Sequence, residues 1–542
     1  MKNDDLFTKE IIKNALQSIA DEMFVAMRNT AMSPIIYEVL DMGTGVTDGK
    51  GNLASSGSGI PALIGVLDRA VKKIIELHPG DGEIEPGDVF ITNDPYTGGV
   101  THLNDAVIAM PVFFEGEIIS WTANSAHWND VGGSTPGSIS TESTEIFQEG
   151  LQLPAVKLIS RGEIVKPVFQ IMRANTRLPD FMEGDMWAGI AAVRNGAESL
   201  VKLAGKYGRA LFQVSLDEFM DEAEKISLAA LKKSQHGTFT LSEPQDNGGV
   251  YNVAITINES QCIVDLRDNP EQDKGPCNLS ADGAAIAAQM VFKSLTDHGG
   301  LLNGGTFRPL TLLTKPGTVF DAQRPAAQGF YYENLIRLHD LLLCCLAPHF
   351  KEIIPAGSFA SVCSTVITGK NPDTGKSFIL TEPQIGGWGA GPGRDGNHAI
   401  FSGLHGETYN CPVEVSESRY GVYIDRLELN DEAGGDGEFI GGRGIRLDYR
   451  IRTDNTLLQC GFSRSKVAPW GVDGGANGTT NYILVYRKNG ETERHSLVSD
   501  LRVNEGDVVS VRTGCGGGYG DPKKRSEANR KLDAKNGFKL NA

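Results

Sequence analysis

The sequence predicts a mixed, multi-domain α+β fold. Helices and antiparallel sheets fill the N-terminal two-thirds, and a β-rich, glycine-rich part follows. Three observations predict it. With 542 residues, the chain is too long for one hydrophobic core. Helical and strand periodicities alternate along its first 350 or so positions. Sixty-five glycines, in separate clusters, exceed the usual share of about 7% and call for many turns and close backbone approaches.

The first element is a helix. Ile12, Leu16, Ile19, Met23 and Met27 recur at steps of three and four, with Asp4 and Asp5 before the run as capping candidates. V-L-D-M-G-T-G-V-T-D-G-K-G-N-L reads as two strands around a D-G-K-G turn. A second helix carries Leu63, Leu67, Ala70, Val71, Ile74 and Ile75 on one face and stops at His78-Pro79-Gly80. Asp88–Thr92 is a strand leading into N-D-P-Y-T-G-G. Ala106–Phe114 and Ile118–Ala123 flank Glu115-Gly116-Glu117, a hairpin turn. Met186–Tyr207 and Leu211–Lys233 read as helices, and residues 237–268 alternate as strands. Ser280–Leu295 and Tyr332–Leu346 read as helices again, the second apolar enough to be buried. From about 415 onward short strands and glycine turns predict an all-β part, and the last twenty residues are charged surface helix or tail. The expected domains are residues 1–235 (α+β, with a metal site), 236–414 (α+β) and 415–542 (β-rich).

Composition narrows the function classes. A net charge of −17 argues against nucleic acid as partner, since phosphate would be repelled. No apolar run is long enough to span a bilayer, and the start MKNDDLFTKEIIKNAL lacks a signal peptide's basic opening, so the expected location is the cytoplasm, without a membrane. The eight cysteines form no C-x-x-C pair, which disfavours a cysteine zinc site and fits reduced thiols in a cytosolic protein.

Histidine carries the chemistry. T-H-L-N-D (101–105) and A-H-W-N-D-V-G-G (126–133) hold two of only ten histidines. His102 and Asp105 precede one strand, and His127 follows its hairpin partner. If those strands pair antiparallel, the entry of the first lies beside the exit of the second, and both histidines meet at one sheet end. Two imidazoles and a carboxylate suit Zn2+, Mn2+ or Fe2+. The alternative is plain hydrogen-bonding residues at strand ends. Asp41, between Leu40 and Met42, is a fourth candidate ligand, because a carboxylate in an apolar strand is rarely buried without a partner. Asp94 and Asp130 are candidates for supporting the ligands from behind, and Asp130, beside the second histidine, is the catalytic candidate.

The glycine-rich stretches contain no P-loop. G-G-W-G-A-G-P-G-R-D-G (386–396) is either a set of turns or a backbone cradle for an anion. G-G-D-G-E-F-I-G-G-R-G (434–444) and T-G-C-G-G-G-Y-G-D-P (513–522) read as structural, and Cys515 within the latter has no histidine nearby in sequence to activate it.

These motifs, together with T-E-I-F-Q-E-G-L-Q-L-P-A-V-K-L, P-V-E-V-S-E and A-P-W-G-V-D-G-G, run in order through nearly the whole chain. The run closely resembles the hydantoinase B/oxoprolinase family. The resemblance implies a metal-bearing subunit of an ATP-dependent amidohydrolase acting on a cyclic amide of hydantoin, lactam or oxoproline type. It implies one divalent metal ion, Zn2+ or Mn2+, on Asp41, His102, Asp105 and His127. It also implies a hetero-oligomer with a hydantoinase A-type ATPase partner of actin/Hsp70-like fold, through which ATP is used to phosphorylate the substrate oxygen. The alternative within the family is the metal-bearing subunit of a ketone carboxylase of acetone or acetophenone type. A non-catalytic scaffold for the ATPase is a third reading. Two departures stand out. Trp128 occupies the place where hydantoinase-type members carry a second histidine, and Glu38-Val39-Leu40-Asp41 lacks the arginine of an E-R-x-D pattern.

Overall fold

The structure, a computed structural model, describes residues 3–538 apart from 298, 301 and 407. It is the mixed α+β, multi-sheet architecture expected, with four sheets. The N-terminal part contributes α1 (Asn3–Thr30), α2 (Pro34–Tyr37), β1 (Met42–Asp48), β2 (Leu53–Gly59), α3 (Pro61–Ile64), α4 (Leu67–Leu77), β3 (Val89–Thr92), β4 (Asp105–Phe114), β5 (Glu117–His127), β6 (Val156–Ser160), β7 (Glu163–Ile164), α5 (Lys166–Ala174), α6 (Pro179–Tyr207) and α7 (Arg209–Lys233). Its seven strands form one antiparallel sheet in the order β2-β1-β5-β4-β3-β6-β7. Alternate side chains of β4 face opposite sides, as the two-residue period requires. Ala106 and Ile108 pack with α1 and α6, and Val107 and Ala109 with α4. Helices on both faces explain why β1 is buried along its whole length.

Several details differ from the sequence expectation. The second helix is two pieces, because the backbone bends at Gly65-Val66 between α3 and α4. Asp4 and Asp5 fall inside the first turn of α1 rather than ahead of it. The helix expected from Met186 begins a turn or more earlier, at Pro179, where proline suits a helix start. The β4–β5 hairpin turns on Glu115 and Gly116, with φ of 53° and 83°, consecutive left-handed residues whose twist matches the strands.

The middle of the chain supplies β8 (Gly237–Pro244), β9 (Val250–Ile257), β10 (Cys262–Asp265), α8 (Ala281–Thr296), β11 (Leu310–Leu313) and α9 (Tyr331–Leu346). The strands form a sheet in the order β11-β10-β9-β8, with β10 and β11 parallel. Ser280 caps α8 by accepting a hydrogen bond from the Gly283 amide. Helix α9 is buried along most of its length and carries charge into the core. Arg337 pairs with Asp340 at 2.5 Å and with Glu243 at 2.7 Å. Arg464, with a fully buried side chain, pairs with Glu243 at 3.0 Å and with Asp340.

The remaining strands are β12 (Ser364–Lys370), β13 (Ser377–Glu382), β14 (Val422–Leu429), β15 (Ile445–Ile451), β16 (Thr456–Gly461), β17 (Tyr482–Tyr486), β18 (Thr492–His495), β19 (Leu497–Val503) and β20 (Val508–Arg512). They form two sheets, β13-β12-β16-β19 and β14-β15-β20-β17-β18. The first joins strands from either side of position 414. The part after 415 is not purely β: helix α10 (Val413–Arg419) runs into it, and α11 (Glu527–Lys535) lies in the charged tail. Among the described residues no helix is long and apolar enough to cross a membrane.

The glycine clusters weave backbone against backbone. The Gly435 amide donates to the Gly516 carbonyl, Gly516 to Gly442, Gly442 to Trp388 and Gly518 to Ala476, all at 2.8–2.9 Å. In the 386–396 stretch the amides of Gly386, Gly387, Trp388, Ala390, Gly391 and Gly396 likewise donate to backbone carbonyls, so these amides are engaged with the chain itself and are not free to cradle an anion. A Cβ on Gly441 would sit 1.8 Å from the Gly516 carbonyl oxygen, so glycine is required there by the closeness of a neighbouring strand of chain. Cys515, inside this weave, is buried, and burial pushes its thiol up, consistent with a structural role.

Gly441→Ala should therefore destabilise the C-terminal part by about 3 kcal/mol or more, since a rigid carbonyl must move. Thermal unfolding of the purified variant checks this, with Gly490→Ala, where nothing lies within 4 Å of the added carbon but φ is 93°, as the milder comparison.

Candidate metal centre

Strand register builds the site. In the β4–β5 ladder Asp105 lies directly opposite His127. In the β1–β5 ladder Met42 lies opposite Ala126, so the residue before β1, Asp41, comes beside His127, whose amide donates to the Asp41 carbonyl at 3.0 Å. Asp41 is not within the strand as expected. It follows Leu40, whose φ of 63° turns the chain into β1. His102 sits in the turn ahead of β4, where the Asp105 amide donates to the His102 carbonyl at 3.2 Å.

The three side chains meet. His102 Nε2 is 3.1 Å and His127 Nδ1 3.2 Å from the same oxygen of Asp105, Oδ1, and one donor atom from each residue falls within 4.8 Å of the others. All three are buried. The second Asp105 oxygen accepts from Thr101 Oγ1 at 2.9 Å and from the Tyr331 hydroxyl at 2.8 Å. His102 Nδ1 lies 3.2 Å from the Gly329 carbonyl, an acceptor that requires the proton on Nδ1 and leaves Nε2 as a lone-pair donor. Burial pushes the Asp105 carboxyl up, but the combined pull of His102 and His127 outweighs it and holds the group well below the usual carboxylate range. Burial pushes Asp41 up to about 7, with His127 pulling it down and Asp105 pushing it up.

This donor set fits a divalent cation. His127 Nε2 is buried without a hydrogen-bond partner, and a buried orphan of that kind is rare unless something else satisfies it. Two imidazoles and a carboxylate, with His102 and Asp105 each oriented by a further hydrogen bond, are the ligand chemistry of Zn2+ or Mn2+. Asp41 lines the same cavity without joining the tight cluster of three.

The other two aspartates are engaged elsewhere. The Asp130 carboxylate accepts from the amides of Gly132, Gly137 and Arg177, and pairs with the Arg177 guanidinium at 2.9 Å. It holds the loop after β5 and does not line the cavity. Asp94 accepts from Tyr96 N and Thr97 Oγ1 and pairs with Arg324 at 2.7 Å, ordering the N-D-P-Y-T turn.

Sequence reading missed the far wall. Tyr331, Tyr332, Ser364, Thr381 and His405 line the cavity opposite the strand ends. They come from segments hundreds of residues away, and none belongs to a spaced motif. The one local signal was Y-Y-E-N at the start of an otherwise apolar helix. Glu149 was also missed. It is buried, its carboxylate accepts from the amides of Gln328 at 3.0 Å and Gly329 at 2.6 Å, and it thereby seats the carbonyl that orients His102. Burial pushes Glu149 up to about 8, against those two amide hydrogen bonds.

Comparison with known proteins adds one family, two relatives and two solved structures. The profile described as Hydantoinase B/oxoprolinase matches residues 5–522. An uncharacterized protein of Methanocaldococcus jannaschii is 32% identical over 96% of this chain and 92% of its own. The caprolactamase subunit beta of Pseudomonas jessenii is 28% identical over 99% of this chain and 94% of its own. The crystal structure of the ATP-dependent caprolactamase from that organism superposes with a TM-score of 0.92, at 26% identity, over 99% of this chain and 95% of that one. A nucleotide-free acetone carboxylase shares the fold at a TM-score of 0.90 and 16% identity, over 98% of this chain and 78% of that one.

His102→Ala and His127→Ala should each reduce bound zinc or manganese at least about tenfold while leaving the far-ultraviolet circular dichroism unchanged. Metal analysis of the purified variants after dialysis is the check, and full occupancy in both would exclude the triad as the ligand set.

Proposed function

The chain belongs to the Hydantoinase B/oxoprolinase family, and from that premise we propose that it is the metal-bearing subunit of an ATP-dependent amidohydrolase that opens cyclic amides. The observation that carries the reading is the buried His102–Asp105–His127 cluster facing a largely apolar cavity. The likeness to caprolactamase over nearly the full length of both chains supports the choice of substrate class.

The chemistry follows from the substrate. Resonance makes an amide carbonyl a poor electrophile, so hydrolysis gains from converting its oxygen into a leaving group. In this reading a hydantoinase A-type partner phosphorylates that oxygen with ATP, and this chain handles the activated ring. A divalent cation bound by His102, Asp105 and His127, with Asp41 beside them, supplies Lewis acidity and makes water more acidic at neutral pH. The chain's own groups prepare the place. Gly329 holds His102 in one tautomer, and Thr101 and Tyr331 hold Asp105 in one rotamer. Ile60, Leu63, Ile139 and Val362 give the cavity an apolar lining that limits bulk water. A cytoplasmic setting belongs to the proposal, since ATP is consumed and all eight cysteines are free.

A ketone carboxylase subunit is the second reading. Trp128, buried beside His127 in place of a second histidine, favours it. Against it, the chain spans 95% of the caprolactamase chain and 78% of the acetone carboxylase chain.

Purified with an A-type ATPase partner and loaded with Zn2+ or Mn2+, the protein should open caprolactam, hydantoin or 5-oxoproline in step with ATP consumption and without bicarbonate. Chromatographic product assays across that panel decide the matter. ATP turnover that needs bicarbonate and a ketone would replace this reading with the second. Full activity after metal removal would reduce the chain to a scaffold.

A further inference from the structure

The cavity has one imidazole that the metal reading does not use. His405 stands on the segment 401–406, F-S-G-L-H-G, and lines the cavity together with His102, Asp105 and His127. The segment is tied down on either side of it. The Ala62 amide donates to the Leu404 carbonyl at 3.4 Å, the His405 amide to the Ser402 carbonyl at 2.8 Å, and the Tyr409 amide to the Val39 carbonyl at 3.0 Å. Those contacts hold His405 against the chain leading into β1 and α3, the same region that brings in Asp41.

His405 is 9% exposed, and its Nε2 is buried with no hydrogen-bond partner. It lies outside the tight donor cluster, which among the described residues comprises His102, Asp105 and His127. Thr381 Oγ1, which lines the same cavity, is also buried and unpartnered. Buried polar atoms are nearly always satisfied, and two of them lining one cavity point to an occupant with complementary polar edges. Burial pushes the His405 imidazole down to about 4, with Asp105 raising it and His127 lowering it further. It is therefore neutral at physiological pH and compatible with a cation across the cavity, where a second positive charge would be repelled.

We propose that His405 binds the substrate directly, with its Nε2 hydrogen-bonded to the ring nitrogen of the cyclic amide, and so orients the scissile carbon–nitrogen bond towards the His102–Asp105–His127 centre. This deepens the amidohydrolase reading and rests on it. Thr381 Oγ1 serves the same ring. Together the two groups distinguish the nitrogen side of the ring from the apolar methylenes, which face Ile60, Leu63 and Ile139.

The test uses the complete complex with its ATPase partner, caprolactam as probe, and two variants. His405→Leu removes the polar atom at similar bulk, and His405→Gln places an amide near the position of Nε2. Both should keep wild-type zinc or manganese content. With His405→Leu, ATP should continue to be consumed while ring-opened product per ATP falls about tenfold to a hundredfold, the loss expected when a buried partner is left unpaired. His405→Gln should recover most of that loss. Wild-type product yield in His405→Leu would overturn the proposal, and so would loss of metal in both variants, which would make His405 a ligand instead. A wild-type complex that opens no cyclic amide on the panel would instead sink the amidohydrolase reading itself, so the two failures are distinguishable.

Discussion

One pairing decides the rest: Asp105 across the ladder from His127. It brings an imidazole from the end of β5 onto a carboxylate from the start of β4, and the same oxygen also meets His102. Strand register admits no small errors, because a slip of one residue sends every side chain to the opposite face. The register here is held by packing on both sides of the sheet, with Ala106 and Ile108 against α1 and α6 and Val107 and Ala109 against α4. The core therefore sets the geometry of the His102–Asp105–His127 triad.

Much of this was legible in the sequence. The steps of three and four from Ile12 to Met27 mark α1, and the alternation on either side of Glu115-Gly116 marks the hairpin. From that hairpin alone, His102, Asp105 and His127 can be placed at one sheet end, because antiparallel pairing is local and its geometry is regular. The glycine excess was equally visible, but its cause was not. Periodicity does not report that the Gly441 and Gly516 backbones touch, since their neighbours lie far apart in the chain.

The same limit explains the missed residues. His405, Thr381 and Glu149 carry no spacing signal, and each matters through contacts with segments that fold from elsewhere. Asp130 illustrates the reverse error. Its position next to the second histidine motif suggested chemistry, yet its carboxylate is saturated by the amides of Gly132, Gly137 and Arg177 and by the Arg177 guanidinium. Nearness in sequence identified the strand ends correctly and misjudged which acids were left over to act.

The buried ion cluster of Arg337, Asp340, Glu243 and Arg464 has a consequence for selectivity. It rivets α9, whose first residue is the Tyr331 that steadies Asp105, to β8 and to the chain after β16. Charges sunk this deep tolerate little displacement, because separating any pair strands an unsolvated ion. The chamber beside Tyr331 thus has a stiff wall, and selection among ligands falls to the shape of the chamber itself, with little yielding to accommodate a poor fit.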